Sequence, residues 1–549
     1  MTYKKAFSII LITLSIIILL MLPLRNQGFA DDFAYAQSVR HLVNVGEIKV
    51  SEWTAPTAIF HIVWGYLFVK ILGFSFSSLH LSIILLLPIL LVYIFLILAK
   101  MKIQINKCLI FTLFFLSVPW IIQLSFTFMT DIPFLTFETI AIYYYLEGLK
   151  SKNESLLVGS FAASIAFLIR QIGIVLPISV FLVLLIKNKA NYKYSAKLLM
   201  MAIFFPILTF ILYSLWLKSN NETVTQIYYQ KQTLEILGRL NPLDSDSFLN
   251  QIIQLFHKSL NYISQLMGLF APLFFLLIIS NLKYVNSAVK KHKRLIVLLT
   301  LTSFALYITD YVLYKQGFTV GYPAESLFEY DYFLPFSLEK LWTIAVFFSI
   351  PIWSTLIIVS IKSIKFSKNK SEGLFLLLCF IGMFVLTIFA FYSWGEYVIP
   401  FLPFILIWVS KVTYKLKINP EIGLLIIFLL ILNSLQIAKI RYDENGIAWQ
   451  KAISLVNNGL SYSEVNPNYN MAWVGWFNFE DTVASQIQSV KGDKSKINFP
   501  ISFNTNQKAK NIIASERKIK LVGQTGQNKF QDGTEIRSLL IKWKLFTIN

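Results

Sequence analysis

Charge is scarce in this sequence. Only 14% of its 549 residues are Asp, Glu, Lys or Arg, where a soluble domain carries roughly a quarter. Cysteine is nearly absent. The two present, Cys108 and Cys379, both fall within apolar stretches, which excludes a disulfide framework and any cysteine-based metal site. There is no glycine-rich phosphate loop, so a nucleotide cofactor is not expected. No internal repeat is visible.

Apolar sequence fills the space. Hydrophobic residues make up 56% of the chain, and the mean hydropathy is +0.62. The stretches Phe7 to Leu22, Leu81 to Leu98 and Ile422 to Ala438 carry no charged residue. Crossing hydrocarbon takes roughly 20 apolar residues, and such stretches recur along most of the chain. The expected fold class is therefore an all-α polytopic membrane protein with about thirteen transmembrane helices.

The 49 basic and 29 acidic residues leave a net charge of +20. In a soluble protein that would suggest nucleic acid. Here the lysines sit in short loops, as at Lys100, Lys102 and Lys107, at Lys187, Lys189, Lys193 and Lys197, and at Lys290, Lys291, Lys293 and Arg294. That is the positive-inside bias, and no nucleic-acid partner is expected. The first 30 residues resemble a secretory signal, but the apolar stretch is long and more follow, so a retained first helix is expected.

With Lys4 and Lys5 in the cytoplasm, every strongly basic loop falls inside if Ala58 to Leu72 lies at the outer interface rather than crossing. The expected spans are 6–24, 79–99, 107–125, 131–149, 155–170, 172–187, 196–217, 259–281, 294–314, 340–362, 373–393, 396–412 and 420–438. This gives a transmembrane domain over 1–438, whose first outer loop, 25–78, carries interfacial helices. A polar tail, 439–549, reads as a small extracytoplasmic α/β appendage. The chain is expected in the plasma membrane, with a cytoplasmic N-terminus and an extracytoplasmic site and C-terminus.

Three acidic motifs stand at the outer face. The first is Asp31-Asp32-Phe33-Ala34-Tyr35, followed by Arg40 and His41. One aspartate there can cap the helix that follows. The second is unexplained by capping, and a like-charged neighbour raises one carboxyl pKa, which suits a general base. The second motif is Thr130-Asp131-Ile132-Pro133, ordinary grammar for a helix start. Glu138 lies seven residues on and on nearly the same face. An ionised carboxylate at mid-bilayer costs about 2.5–3.5 kcal/mol, so Glu138 should face protein or water, with Arg170 at the neighbouring outer turn as a candidate partner. The third motif is Gly395-Glu396-Tyr397-Val398-Ile399-Pro400-Phe401-Leu402-Pro403, whose prolines should distort the start of a helix.

These pieces, in this order and on this topology, resemble the polytopic lipid-phosphate-sugar-dependent glycosyltransferases of the GT-C type, a superfamily that includes protein O-mannosyltransferases and lipid A aminoarabinose transferases. The resemblance covers roughly residues 1–410. It is most specific from Asp31 to Tyr35 through Gly46-Glu47-Ile48 and Pro56 to Gly73. It implies a donor sugar on a polyprenyl phosphate and a hydroxyl acceptor on a protein, lipid or polysaccharide. Asp31 would be the general base, Asp32 would orient it or hold a metal, and Asp131 would position acceptor or metal. The clustered carboxylates allow a divalent metal without demanding one. Tyr35, Glu396 and Tyr397 join the candidate substrate-binding residues, and Arg40, His41, His61, Arg170 and Lys315 are the outer-side candidates for neutralising the leaving phosphate. The family often has Arg before the late tyrosine, where this chain has Glu396, so the positive charge must come from elsewhere. A transporter or flippase of lipid-linked sugars, and a glycan ligase or polymerase on the same fold, are the alternatives.

Overall fold

The computed structural model of the chain describes residues 1–187 apart from 52 and 151, then 192–220, 245–315, 370–390, 395–413 and 416–460, with isolated positions at 226, 234, 236, 238–240, 465, 473 and 476. Every described element is helical. The chain divides into two compact bodies: Met1–Leu24 with Tyr35–Lys439, and Arg25–Ala34 with the chain from Ile440 onward.

The first body opens with helix α1, Tyr3–Met21, whose Thr2 hydroxyl caps it by accepting the Lys5 N–H. Helix α2, Asp32–Val45, begins in the second body and continues in the first. Helix α3, Ile59–Leu72, has only fourteen residues and is too short to cross a bilayer unaided. Helices α4, Phe76–Ile84, and α5, Leu87–Lys100, together make a 25-residue apolar stretch. The pair α6, Ile105–Leu116, and α7, Pro119–Ser125, bends by 64° where Ser117, Val118 and Pro119 interrupt it, because proline cannot continue the ladder of backbone bonds.

At the centre lie α8, Asp131–Lys150, and α9, Ser155–Phe167. Helix α8 packs on α9 and α5, and α9 packs in turn on α11, Tyr192–Asn220. The α8–α9 contact is close because Gly159 faces the Tyr145 ring, where a β-carbon would stand 2.8 Å from it. A 3-10 turn, Gln171–Ile174, leads into α10, Val175–Lys187. Helices α12, Ser245–Ile279, α13, Leu282–Lys315, and α14, Lys370–Phe389, follow. A second 3-10 stretch, Gly395–Phe401, runs into α15, Leu402–Val412, so Pro400 and Pro403 tighten the helix start as the sequence suggests. It packs against α8, α12 and α14.

Helix α16, Pro420–Asn457, runs well past the expected end at 438. The apolar run stops there, but nothing from Lys439 to Asn457 is a proline, and the helix continues as a polar one. The expected span 340–362 and nearly all of the tail beyond 460 lie outside the described residues. Among the described residues, six helices are long and apolar enough to cross a membrane, or seven if the bent α6–α7 pair is one span. The count of thirteen included shorter helices and the segment 340–362. The chain is an integral membrane protein.

The ends of α8 and α9 differ sharply in charge. At one end Lys100 pairs with Glu147, Lys152 lies 3.5 Å from the same carboxylate, and the Lys187 ammonium donates to the Leu149 carbonyl at 2.6 Å. The other end holds Asp131 and Arg170. The turn carrying Arg170 is closed by Arg170 N–H to the Ala166 carbonyl and Gly173 N–H to the Arg170 carbonyl, each 2.9 Å. A β-carbon on Gly173 would lie 2.6 Å from the Phe167 nitrogen and 2.7 Å from the Ala166 carbonyl carbon, both fixed backbone atoms. Gly173→Ala should therefore cost roughly 1–3 kcal/mol of overpacking and lower the melting temperature in detergent by several degrees. A melt identical to wild type would show that this turn opens freely.

Candidate active site

Asp131 opens α8 and is buried. Its carboxylate accepts a hydrogen bond from the Arg170 guanidinium, joining the start of α8 to the turn after α9. The guanidinium carbon stands 5.7 Å from the centre of the Tyr397 ring, in cation–π range. Tyr35 and Glu396 lie within electrostatic reach of the same guanidinium. Three of the sequence motifs therefore converge on the arginine in the turn after α9: the helix after the acidic pair, the Asp-x-Pro start and the late Glu-Tyr. Arg170 has five N–H donors, and its side chain keeps 23% of its surface open.

Glu138 is placed differently from the expectation. Its carboxylate is fully buried and neither oxygen has a hydrogen-bond partner. Arg170 acts on it through the field alone and gives its direct bond to Asp131. Seven residues of helix place Glu138 about 10 Å deeper along the axis than Asp131, and the shallower acid takes the bond.

His61, expected among the cations, is corrected by its surroundings. It is fully buried on α3, stacks on Phe128 with centroids 4.1 Å apart, and meets the Tyr35 ring edge-on at 5.0 Å. Its Nε2–H donates to the Phe128 carbonyl at 3.0 Å, while Nδ1 has no partner. Burial pulls the imidazole pKa from 6.5 down to about 4, more than the Phe128 bond raises it. At neutral pH His61 is uncharged, so it supports Tyr35 rather than a phosphate. Arg40 is exposed on α2 and His41 is half-buried beside it. Lys315 ends α13, and its side chain lies outside the described residues. Glu396 and Tyr397 are half-buried in the second 3-10 stretch.

In the second body, Asp32 begins α2 and is fully buried. Its Oδ2 accepts the Phe29 N–H at 3.2 Å while its own N–H donates to the Phe29 carbonyl at 2.9 Å. Asp32 thus closes the helix-start turn. Asp31, half-buried, is not needed for that bond, although its carbonyl accepts the Ala34 N–H at 3.0 Å. Ala30, just before the pair, adopts φ +46°, a left-handed backbone that costs a non-glycine residue roughly 1–2 kcal/mol. Residues that the sequence reading passed over also appear here. Tyr442 and Asp443, buried on α16, bond to the segment before Asp31. The missed signal was the absence of proline from Lys439 to Asn457.

The sequence allows a divalent metal at Asp31, Asp32 and Asp131 without demanding one. Among the described residues no group of three or more His, Cys, Asp or Glu is placed to hold one, and Asp131 is engaged by Arg170.

Residues 56–213 match the family model described as dolichyl-phosphate-mannose-protein mannosyltransferase. No curated protein matches the chain. Among solved structures the chain is similar to ArnT from Cupriavidus metallidurans bound to undecaprenyl phosphate, with 12% identity and a TM-score of 0.43 over 90% of this chain and 73% of that one. It is also similar to the same protein in the apo state, with 11% identity and a TM-score of 0.35 over 76% of this chain and 78% of that one. The family match contains His61, Asp131, Glu138 and Arg170. It bears out the resemblance to the GT-C glycosyltransferases and supports a membrane glycosyltransferase as the coarse function.

Two outcomes follow from this geometry. Asp131→Ala strands a largely buried guanidinium and should cost about 2–4 kcal/mol of stability, while Asp131→Ala with Arg170→Met recovers part of the loss. Melting of the two single variants and the double variant in detergent measures this, and strictly additive losses would refute the pairing. For His61, the unfolded chain binds its proton below about 6.5 and the folded chain only near 4. Stability is therefore fully present above pH 6.5 and falls as the pH drops from 6.5 towards 4. His61→Phe should flatten that part of the melting-temperature profile.

Proposed function

We propose that this chain transfers a sugar from a polyprenyl-phosphate carrier to a hydroxyl acceptor at the extracytoplasmic face of the membrane. The observation that carries the reading is the Arg170 guanidinium, bonded to Asp131 and lying over Tyr397. Where the family often has Arg before the late tyrosine, this chain has Glu396. Arg170 brings a positive charge to that neighbourhood from another helix turn. The family match, whose description names a lipid-phosphate sugar as donor, covers Arg170 and supports the same donor class.

In the reaction the acceptor oxygen forms a bond to the anomeric carbon of the sugar, and the bond from that carbon to the phosphate oxygen breaks. The lipid phosphate leaves with the electron pair. Asp31 takes the acceptor's hydroxyl proton as general base. Asp32, held by Phe29, fixes the turn from which Asp31 projects. Arg170 offers N–H donors beyond the one engaged by Asp131, and these stabilise negative charge growing on the leaving phosphate, a preorganised electrostatic role. Asp131 keeps the guanidinium from rotating away. Tyr397 lies against the guanidinium, and Tyr35 is within its electrostatic reach. No step is routed through a metal.

A transporter would share one feature of this chain, the buried and unpartnered Glu138. The test is release of polyprenyl phosphate from radiolabelled polyprenyl-phosphate sugars by the purified chain in detergent, with and without chelator. Asp31→Asn should lower kcat by about 10²–10⁴-fold while the protein remains folded. Arg170→Gln should lower kcat/KM for the donor by about 10²-fold. Wild-type activity in Asp31→Asn would remove the proposed base. No turnover across a broad donor panel would give first place to the transport of lipid-linked sugars.

A further inference from the structure

The second body ties together residues more than 400 positions apart. Arg25 Nη2 donates to Asp443 Oδ1 at 2.9 Å. The Arg25 backbone N–H donates to the Tyr442 hydroxyl at 2.6 Å, and that hydroxyl donates back to the Arg25 carbonyl at 3.3 Å. Gln27, itself buried, donates from its side-chain amide to the Tyr442 carbonyl at 2.8 Å. The Asn445 amide donates to the Gly28 carbonyl, also at 2.8 Å. Burial pushes the Tyr442 phenol up to about 12, so it stays protonated and keeps both roles at working pH.

Two details separate this arrangement from casual docking of a tail. Three of the five bonds end on the main chain of Arg25 or Gly28, so they fix the path of the segment and not only its side chains. Helix α16 also leaves space for that path at Gly446, where a β-carbon would stand 2.4 Å from Gln27 Oε1 and 2.5 Å from Arg25 Cδ. The segment so held ends at Ala30, whose left-handed backbone persists only if its surroundings over-determine it. Asp31 and Asp32 come next.

We propose that the helical stretch Ile440–Asn457 is a brace that holds the Asp31–Asp32 segment in its working position, with Tyr442, Asp443 and Asn445 as positioning residues. The proposal rests on the reading of Asp31 as the base. The brace touches no substrate. It sets where the base stands, and a misplacement of about 1 Å at a reacting group can cost 10²-fold in rate.

The test pairs a structural readout with a catalytic one on the full chain in detergent. In Asp443→Ala, amide hydrogen exchange over residues 25–34 should quicken at least tenfold, kcat should fall about 10–100-fold, and the donor KM should stay within about twofold. Tyr442→Phe, a gentler change that keeps the ring, should move both readouts in the same direction. Asp443→Glu should recover most of each. Asp31→Asn separates the two ideas, since it should lower kcat by about 10²–10⁴-fold and leave exchange at the wild-type rate. Unchanged exchange in both Asp443→Ala and Tyr442→Phe overturns the brace, and so does faster exchange with unchanged kcat. If wild type turns over no donor, the glycosyl-transfer reading fails and hydrogen exchange alone decides whether the segment is held from α16.

Discussion

The first body is organised around one buried charge. In water, an arginine and an aspartate at this separation gain little from each other. Removed from water at the mouth of a membrane helix bundle, each becomes costly without the other. The start of α8 and the turn after α9 are thereby committed to a common geometry. Gly173 lets that turn close tightly enough to present Arg170, and Tyr397 gives the guanidinium a face to lie on. An arginine suits this place better than a lysine would. Its planar fork can bond a carboxylate at one edge, stack on an aromatic ring and still offer N–H groups to a further anion.

Lipid as solvent explains why the polar groups gather as they do. A chain with this little charge has few polar side chains to place, and each one placed in hydrocarbon must meet protein. Lysines collect at one end of α8, where carboxylates and carbonyl oxygens receive them. Asp131 and Arg170 take the other end. Glu138 is the exception, buried between the two ends with neither oxygen bonded. Its nearest compensation is the field of Arg170, already engaged by Asp131. Among the described residues, Arg170 thus bonds Asp131 directly and lies within electrostatic reach of Glu138 and Glu396.

What was legible in the sequence follows from what one-dimensional patterns can encode. Apolar length announces membrane helices, and Thr130 to Pro133 announces a helix start, because both signals are local. Pairings are not local. The sequence puts Arg170 within reach of both Asp131 and Glu138, and only the depth of each along α8 decides between them. His61 looked like a cation because residue type is visible and burial is not. Against Phe128 and Tyr35 it is a neutral wall residue. The continuation of α16 past Ala438 was missed because hydropathy ends where the membrane ends, while the helix ends only where something stops it.

The acidic pair shows how two identical residues side by side acquire different work. A helix start has room for one side chain that accepts the N–H of the residue three positions back and closes the turn. Asp32 fills it, with Phe29 as the partner, and the bond in the reverse direction from its own N–H locks the exchange. Asp31 is then one residue outside the helix, on a backbone turned by the left-handed Ala30. The Oδ2 of Asp32 is spent on closing that turn. The carboxylate beside it is left outside that turn-closing exchange, which is the arrangement the proposed base requires. The doubled aspartate is therefore economical: one member makes the turn rigid, and that rigidity gives the other a defined direction.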